Sequence, residues 1–486
     1  MPPKPDAGNV RGKIMPTPIK FGTEGWRGII ARDFTFDNVR ACAQGVAGYL
    51  LGSGLSQRGL IIGYDNRFAS EDFAAAVAEV TAGNGIKAYL CPKATPTPVV
   101  SYGVIDNRAA GAVILTASHN PAIWHGIKYK AEFGGSAPIE VMDEIQKHIP
   151  SSADAVKHIP LAEGLKQGLI EYLDLAPSYL KQIAELVDLD KLRQAGLKVV
   201  VDPMYGAAAG YFKTILAGGS TEVVEINGER NPLFPGINPE PIAKNLTKLS
   251  ATIRELGADV GLATDGDSDR GGVMDENGTL LTPHQVYALL ALYLLEVRGQ
   301  RGAIIKALNA SDMLYRLGEL FSVPVYESLV GFRHICQMMR EQDALVGGDG
   351  TSGHAFCGHA PERDGILSGL YFLDFMTQTG KKPSQLLDYL YSKVGPYYCE
   401  RIDFGCPVGE WEAIVARVAE SKPSELGGLK VTQFDTLDGI RFRLADGSWI
   451  LIRFSVSDSI VRIYAEASSR PHAQMLLKVG HDLVRI

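Results

Sequence analysis

Short, unbroken apolar runs recur along the chain, each leading through a polar turn into a stretch of helical periodicity. They lie at Gly59–Asp65, Ala109–Ser118, Leu197–Pro203, Ala258–Asp265, Gly302–Leu308 and, more briefly, Asp343–Gly348. A strand that is apolar on both faces must be covered on both faces. Strands followed by helices provide that cover through crossover connections, so the pattern predicts α/β layers with largely parallel sheets. Helices are expected over Thr35–Leu51, Ser70–Asn84, Pro177–Val187, Ala243–Leu256 and Pro283–Glu296, with Thr35 as the cap of the first.

The tail has a different rhythm. From about Gly428 it alternates apolar and polar residues between Asp-Gly turns and closes on a helix expected over Ala473–Ile486. That is the signature of a small α+β unit with an antiparallel sheet. At 486 residues the chain is too long for one core. Boundaries near 165, 278 and 390 divide it into units at 19–165, 166–278, 279–390 and 391–486. The strand-then-polar-loop pattern recurs three times before the tail, which hints that the first three units are related.

Residues 1–18 lack an apolar stretch and are rich in Pro and Gly, so they read as a disordered tail rather than a signal peptide. No apolar run is long enough for a membrane span. A net charge of −7 argues against a nucleic-acid surface but leaves room for a local basic pocket. Six scattered cysteines without a CxxC pair fit reduced thiols in a cytoplasmic protein.

Two loops carry chemistry. Thr116-Ala117-Ser118-His119-Asn120-Pro121 follows an apolar strand, and the carboxyl end of such a strand is where α/β folds present reactive groups. A polar turn with a helix cap is the plain alternative. Asp265-Gly266-Asp267-Ser268-Asp269-Arg270 also follows a strand, and its alternating carboxylates would converge if the loop curls, with Gly266 permitting the curl. Hard oxygen ligands of this kind suit Mg²⁺. A Ca²⁺-type or merely solvated acidic turn is the alternative. An EF-hand is excluded, because Arg270 stands where that loop needs glycine and a strand precedes it.

Together, TASHNP and DGDSDR resemble the α-D-phosphohexomutase family, which includes phosphoglucomutase, phosphomannomutase and phosphoglucosamine mutase. Matching segments follow in order: Phe21–Gly28, Gly126-Ile127-Lys128, Arg230–Pro241, Val330–His334, Gly347–His354 and Asp446–Ser455. The resemblance runs from about Ile19 to the C-terminus. It implies four domains around a central cleft, three related α/β/α domains and a smaller α+β domain that binds phosphate. It also implies that Ser118 is phosphorylated and, with Asp265, Asp267 and Asp269, holds Mg²⁺. Arg27 and Lys128 would flank the transferring group. Lys128 and His354 both stand for proton transfer, while His119 would orient the loop. Arg270, Ser328, Gly331, Arg333, Asp349 and Thr351 would face the sugar, and Arg453, Ser455, Ser457 and Arg462 the non-reacting phosphate.

The expected reaction interconverts glucose 1-phosphate and glucose 6-phosphate, with a hexose 1,6-bisphosphate as intermediate and activator, in a monomer or homodimer. Phosphomannomutase or dual activity is the neighbouring alternative. A bisphosphate synthase or phosphatase, or a non-catalytic sugar-phosphate sensor, are the others. Two segments depart from the family pattern. The C-terminal loop, usually RPSGTEP, is Arg453-Phe454-Ser455-Val456-Ser457-Asp458-Ser459, and the sugar loop, usually GEESGG, is GDGTSG. His125, His334 and His359 read as core or surface residues. Asp65, Asn66 and Arg67 read equally as cleft support or a turn, and Leu370–Phe375 as core.

Overall fold

The computed structural model describes residues 19–22, 24–405, 409–421, 423–455 and 460–484. The expected tail at 1–18, Cys406 and Ser457 lie outside these residues, as does the side chain of Ser455. Four sheets follow one another along the chain. The first has the order Gly25–Ile29, Trp124–Lys130, Ala112–Leu115, Leu60–Tyr64, Ala88–Leu90 and Ile170–Tyr172. The second runs Gly271–Met274, Val260–Thr264, Lys198–Asp202 and Glu222–Glu225. The third runs Val325–Ser328, Ile304–Ala307, Val346–Gly348 and His354–Phe356.

These three sheets share one device. A parallel strand ends in a polar loop, and the chain returns as an antiparallel neighbour. Leu115 faces Ile127, Thr264 faces Gly271, and Gly348 faces His354 across these returns. Each sheet is therefore mixed, with its reactive or recognition loop at the carboxyl end of a parallel strand. The threefold recurrence seen in the sequence is this return. One continuous apolar core runs through all three units, which explains why their strands read as unbroken hydrophobic runs.

The fourth sheet is six-stranded and antiparallel, in the order Tyr398–Gly405, Ile460–Ala467, Trp449–Ser455, Ile440–Leu444, Leu429–Asp435 and Glu425–Leu426. Helices Trp411–Ser421 and Arg470–Val484 close its separate core. A small cluster of Leu308, Trp449, Leu451 and Tyr464, with Val330 and Cys399 against it, joins this sheet to the third.

Several expectations need correction. Ile170–Tyr172 pairs with Ala88–Leu90 in the first sheet, so the first unit extends past 165; a short edge strand carries too little pattern to be read. Helix Pro383–Val394 likewise carries the third unit past 390. The helix expected at Ala243–Leu256 splits into a tight turn at Ala243–Asn245 and a helix at Thr247–Leu256. That expected at Pro283–Glu296 is α-helical only to Leu292 before widening into a π-turn. The last helix starts at Arg470. Thr35 caps helix Phe36–Gly52 by accepting the Asn38 N–H, as expected. Leu370–Phe375 is core, inside a helix, Gly365–Thr379, that is buried at every position through Met376.

Candidate functional site

The loops after the first two sheets' reactive strands meet face to face. Ser118 is 1% exposed and sits at φ +52°, a left-handed conformation that costs a side-chain-bearing residue energy unless its surroundings impose it. Its Oγ donates to Asp265 Oδ2 at 2.7 Å and lies 3.2 Å from His119 Nδ1. Gly266 is required for this approach, because a Cβ there would stand 2.6 Å from the Ser118 carbonyl oxygen. The expected role of Gly266 in a curl is thus a role in contact; the left-handed residue of the acidic loop is Ser268, at φ +66°.

Asp265, Asp267 and Asp269 are all fully buried, with one ligand oxygen from each within 4.8 Å of the others. Thr97 Oγ1 and Lys128 Nζ both donate to Asp267 Oδ2, at 2.7 and 2.6 Å. Lys128 Nζ also reaches Asp269 Oδ2 at 2.9 Å and Glu24 Oε2 at 3.5 Å, and Arg363 Nη2 reaches Asp269 Oδ2 at 2.8 Å. Asp267 Oδ1 and Asp269 Oδ1 remain buried without a hydrogen-bond partner. Orphaned anionic oxygens beside one another are costly unless a cation completes them. The donor set is oxygen only, which fits a hard divalent ion such as Mg²⁺.

The electrostatics follow from this crowding. Burial, then Asp267 and Asp269, pushes Asp265 well above the usual carboxylate range. Burial acts on Asp267 in the same direction but is outweighed by Lys128, which pulls it down. Burial would lower Lys128, yet Asp267, Asp269 and Glu24 raise it above its ordinary value, so this lysine is a fixed positive charge. Burial and the neighbouring Arg270 and Arg27 hold His119 well below the usual histidine range, leaving it neutral. Burial pushes His354 down to about 3. Its Nδ1 lies 3.4 Å from Ser368 Oγ, its Nε2 is buried without a partner, and its ring packs beside Tyr287.

Arg27 and Lys128 come from adjacent antiparallel strands, and Arg27 Nη1 donates to Asn120 Oδ1 at 2.5 Å. Arg270 borders the trio, its Nε 4.0 Å from Asp269 Oδ1 and its N–H on Asp265 Oδ1. In the third unit, Asp349 Oδ1 accepts both the N–H and the hydroxyl of Thr351. Ser328 turns its hydroxyl to the Leu329 carbonyl, and Gly331, at φ +128°, opens helix Phe332–Glu341. Arg333 Nε and Nη1 are buried without a hydrogen-bond partner, and burial lowers its pKa. In the fourth unit Arg453 and Arg462 are direct cross-strand partners, which sets two cationic side chains on one face.

Three residues given little or no place by motif reading belong to the site. Arg67 is fully buried, pairs with Asp65 at 3.3 Å, and donates to the carbonyls of Ser118, Asn120, Pro121 and Trp124. It settles the Asp65–Arg67 segment as support for the reactive loop. Glu24 and Arg363 form an ion pair beside Lys128 and Asp269. Glu24 lies inside the matching segment Phe21–Gly28 but was given no role there, and for Arg67 and Arg363 the sequence offered a charge near an apolar run, which is ordinary. His125, by contrast, is a buried residue bonded to Ser70 and stacked on Phe34.

Residues 18–155, 177–278 and 282–394 match, in order, the α/β/α domains I, II and III of phosphoglucomutase/phosphomannomutase. The chain belongs to this family, the α-D-phosphohexomutases, and is an isomerase-type phosphotransferase. A phosphoglucomutase/phosphomannomutase of Thermococcus kodakarensis is 29% identical over 464 residues, spanning 96% of this chain and 98% of the relative. The phosphoglucosamine mutase of an Arthrobacter species is 30% identical over 466 residues, spanning 94% and 96%. Among solved structures, a Thermus thermophilus protein assigned as a phosphomannomutase superposes with a TM-score of 0.84 at 35% identity, covering 96% of this chain and 99% of its own.

Proposed function

We propose that this mutase interconverts glucose 1-phosphate and glucose 6-phosphate through phosphorylated Ser118 and a hexose 1,6-bisphosphate. The observation that carries this reading is the buried Ser118 hydroxyl set 2.7 Å from Asp265 and pressed against a carboxylate trio with orphaned oxygens. Ser118, Asp265, Asp267 and Asp269 would hold Mg²⁺, which supplies positive charge to the transferring phosphoryl oxygens. Lys128 and Arg27 add fixed positive charge from the neighbouring strands, where charge develops in the transition state. His119, in contact with Ser118 Oγ, would orient the reactive loop, and Lys128 and His354 are the two candidates for handling the sugar hydroxyl's proton.

Arg333, Asp349 and Thr351 would orient the sugar, and Arg453 with Arg462 the phosphate that does not react. Phosphomannomutase or dual activity is the second reading, favoured by relatives whose names include phosphomannomutase. The test is a coupled assay on glucose 1-phosphate with Mg²⁺ and a trace of glucose 1,6-bisphosphate, run beside mannose and glucosamine 1-phosphates. Glucose 6-phosphate from the wild type and none from Ser118→Ala is the expected result. Near-normal turnover by Ser118→Ala would end the phosphoserine mechanism, and faster turnover of another sugar would replace glucose.

A further inference from the structure

The turn between strands Leu429–Asp435 and Ile440–Leu444 grips, from the C-terminal unit, the loop from Ser328 to Gly331 that follows strand Val325–Ser328. Arg441 makes a bidentate pair with Glu327, at 2.7 and 2.9 Å, immediately before Ser328. Three residues on, the Val330 N–H donates to Asp438 Oδ2 at 2.8 Å. The other oxygen of the same carboxylate, Oδ1, accepts Arg453 Nε at 2.9 Å. Arg453 Nη2 lies 3.5 Å from the Val330 carbonyl, completing a closed ring of contacts. The turn can lie this close only because of Gly439: at φ +98°, a Cβ there would stand 2.4 Å from the Ile452 carbonyl oxygen and 3.1 Å from the Arg453 Cα.

From this juxtaposition we infer that Asp438 is a positioning residue that couples the phosphate site to the loop from Ser328 to Gly331. The inference rests on the reading of Arg453 as a phosphate ligand. With the site empty, Asp438 serves as the counter-ion of Arg453 and keeps the guanidinium poised beside Arg462. A phosphate dianion draws the guanidinium toward itself and leaves the Asp438 carboxylate with more uncompensated charge. Its charge-assisted bond to the Val330 N–H then strengthens and steadies the loop that ends at Gly331 and leads into the helix that carries Arg333. Phosphate arriving at one end of the sugar thus organises the residues that read its hydroxyls. A mutase gains from such coupling, since either end of the substrate must present its phosphate to the same pair of arginines.

Two measurements test this. In the full-length wild type, saturating inorganic phosphate should slow amide hydrogen exchange at Val330 by about fivefold, and Arg453→Ala should abolish the effect. Asp438→Ala should raise the inhibition constant for inorganic phosphate and the KM about tenfold with little change in kcat. It should also reduce the preference between epimeric hexose 1-phosphates, whereas Asp438→Asn, which keeps an acceptor for the Val330 N–H, should retain most of that preference. If Arg453→Ala leaves phosphate inhibition unchanged, the phosphate reading itself fails. If Arg453→Ala weakens phosphate while Val330 exchange is unchanged or faster in the wild type, the coupling is overturned and the phosphate site stands. Loss of phosphate affinity in Asp438→Ala with sugar preference intact also overturns it, because Asp438 would then position Arg453 alone.

Discussion

Removing the Arg67 guanidinium would strand the carbonyls of Ser118, Asn120, Pro121 and Trp124 and leave the buried Asp65 carboxylate without its cation. Breaking a buried charge of this kind costs about 3–5 kcal/mol. Arg67→Ala is therefore expected to lower the denaturant midpoint by that equivalent and to abolish turnover. A variant that unfolded like the wild type would show that the loop holds itself. Among the ionisable residues, Glu466 offers a test by pH. Burial, then the charge of Asp312, pushes it up to about 7, while Trp449 Nε1 and the Asp312 N–H both donate to its Oε1. The folded chain therefore keeps a proton that the unfolded chain has already released over the window from about pH 4.5 to 7. Stability falls as pH rises through that window, and the loss is complete above it. Glu466→Gln keeps an acceptor for both donors and should flatten the dependence of the denaturant midpoint on pH; parallel curves for the two proteins would show that Glu466 does not titrate there.

At the level of loops and strands, the separation between the serine and acidic loops is set by a missing side chain. The methyl group of Gly266→Ala would meet the Ser118 carbonyl oxygen at 2.6 Å, and a backbone atom cannot swing aside as a flexible side chain would. The two loops must part. Misplacement of reacting groups by an ångström costs about 100-fold in rate, so kcat should fall by that order while the circular dichroism spectrum stays native. Normal turnover would mean that the contact is looser in solution. The buried helix Gly365–Thr379 shows the same economy of space: it belongs in sequence to the third unit, yet Gly369 sits against Phe212 and Leu262 of the second. Its first residue also donates its N–H to the Ser268 carbonyl, and Ser352 accepts from Gly271, so the acidic loop is tied directly to the third unit.

On the scale of the whole molecule, the first three units form one packed body and meet at the carboxylate trio. The ion pairs of Lys128 and Arg363 with Asp267 and Asp269 already hold those loops together. Chelation of divalent cations is accordingly expected to abolish activity while leaving the chain folded. Readdition of Mg²⁺ should raise stability, by about 2.7 kcal/mol at a hundredfold excess over its dissociation constant. A chelated protein that melted in two steps, or Mg²⁺ that left the melting temperature unchanged, would contradict the placement of the ion between the loops of two units. The C-terminal unit joins through a different interface, an apolar cluster around Trp449 and a charge network of Lys306, Asp312, Glu327, Arg441 and Arg443.

What the sequence determined by itself was local. Unbroken apolar runs require sheets covered on both faces, and the alternating tail reads as an antiparallel sheet. That its second face is covered too, by the third unit around Trp449, was left to tertiary structure. A serine or an acidic triplet placed directly after a strand marks candidate loops, which the resemblance to the phosphohexomutases turned into expected site loops. Tertiary structure decided the rest. That Asp265 meets Ser118, that Lys128 is locked as a cation among three carboxylates, and that Arg67 supports a loop through four carbonyls are contacts across 51 to 147 residues of chain. The same holds for Asp438, an unremarked residue of an Asp-Gly turn that meets Val330 across 108 residues. Such partners leave no periodicity or spacing to read, since a buried charge selects its counter-charge by proximity in the folded state rather than along the chain.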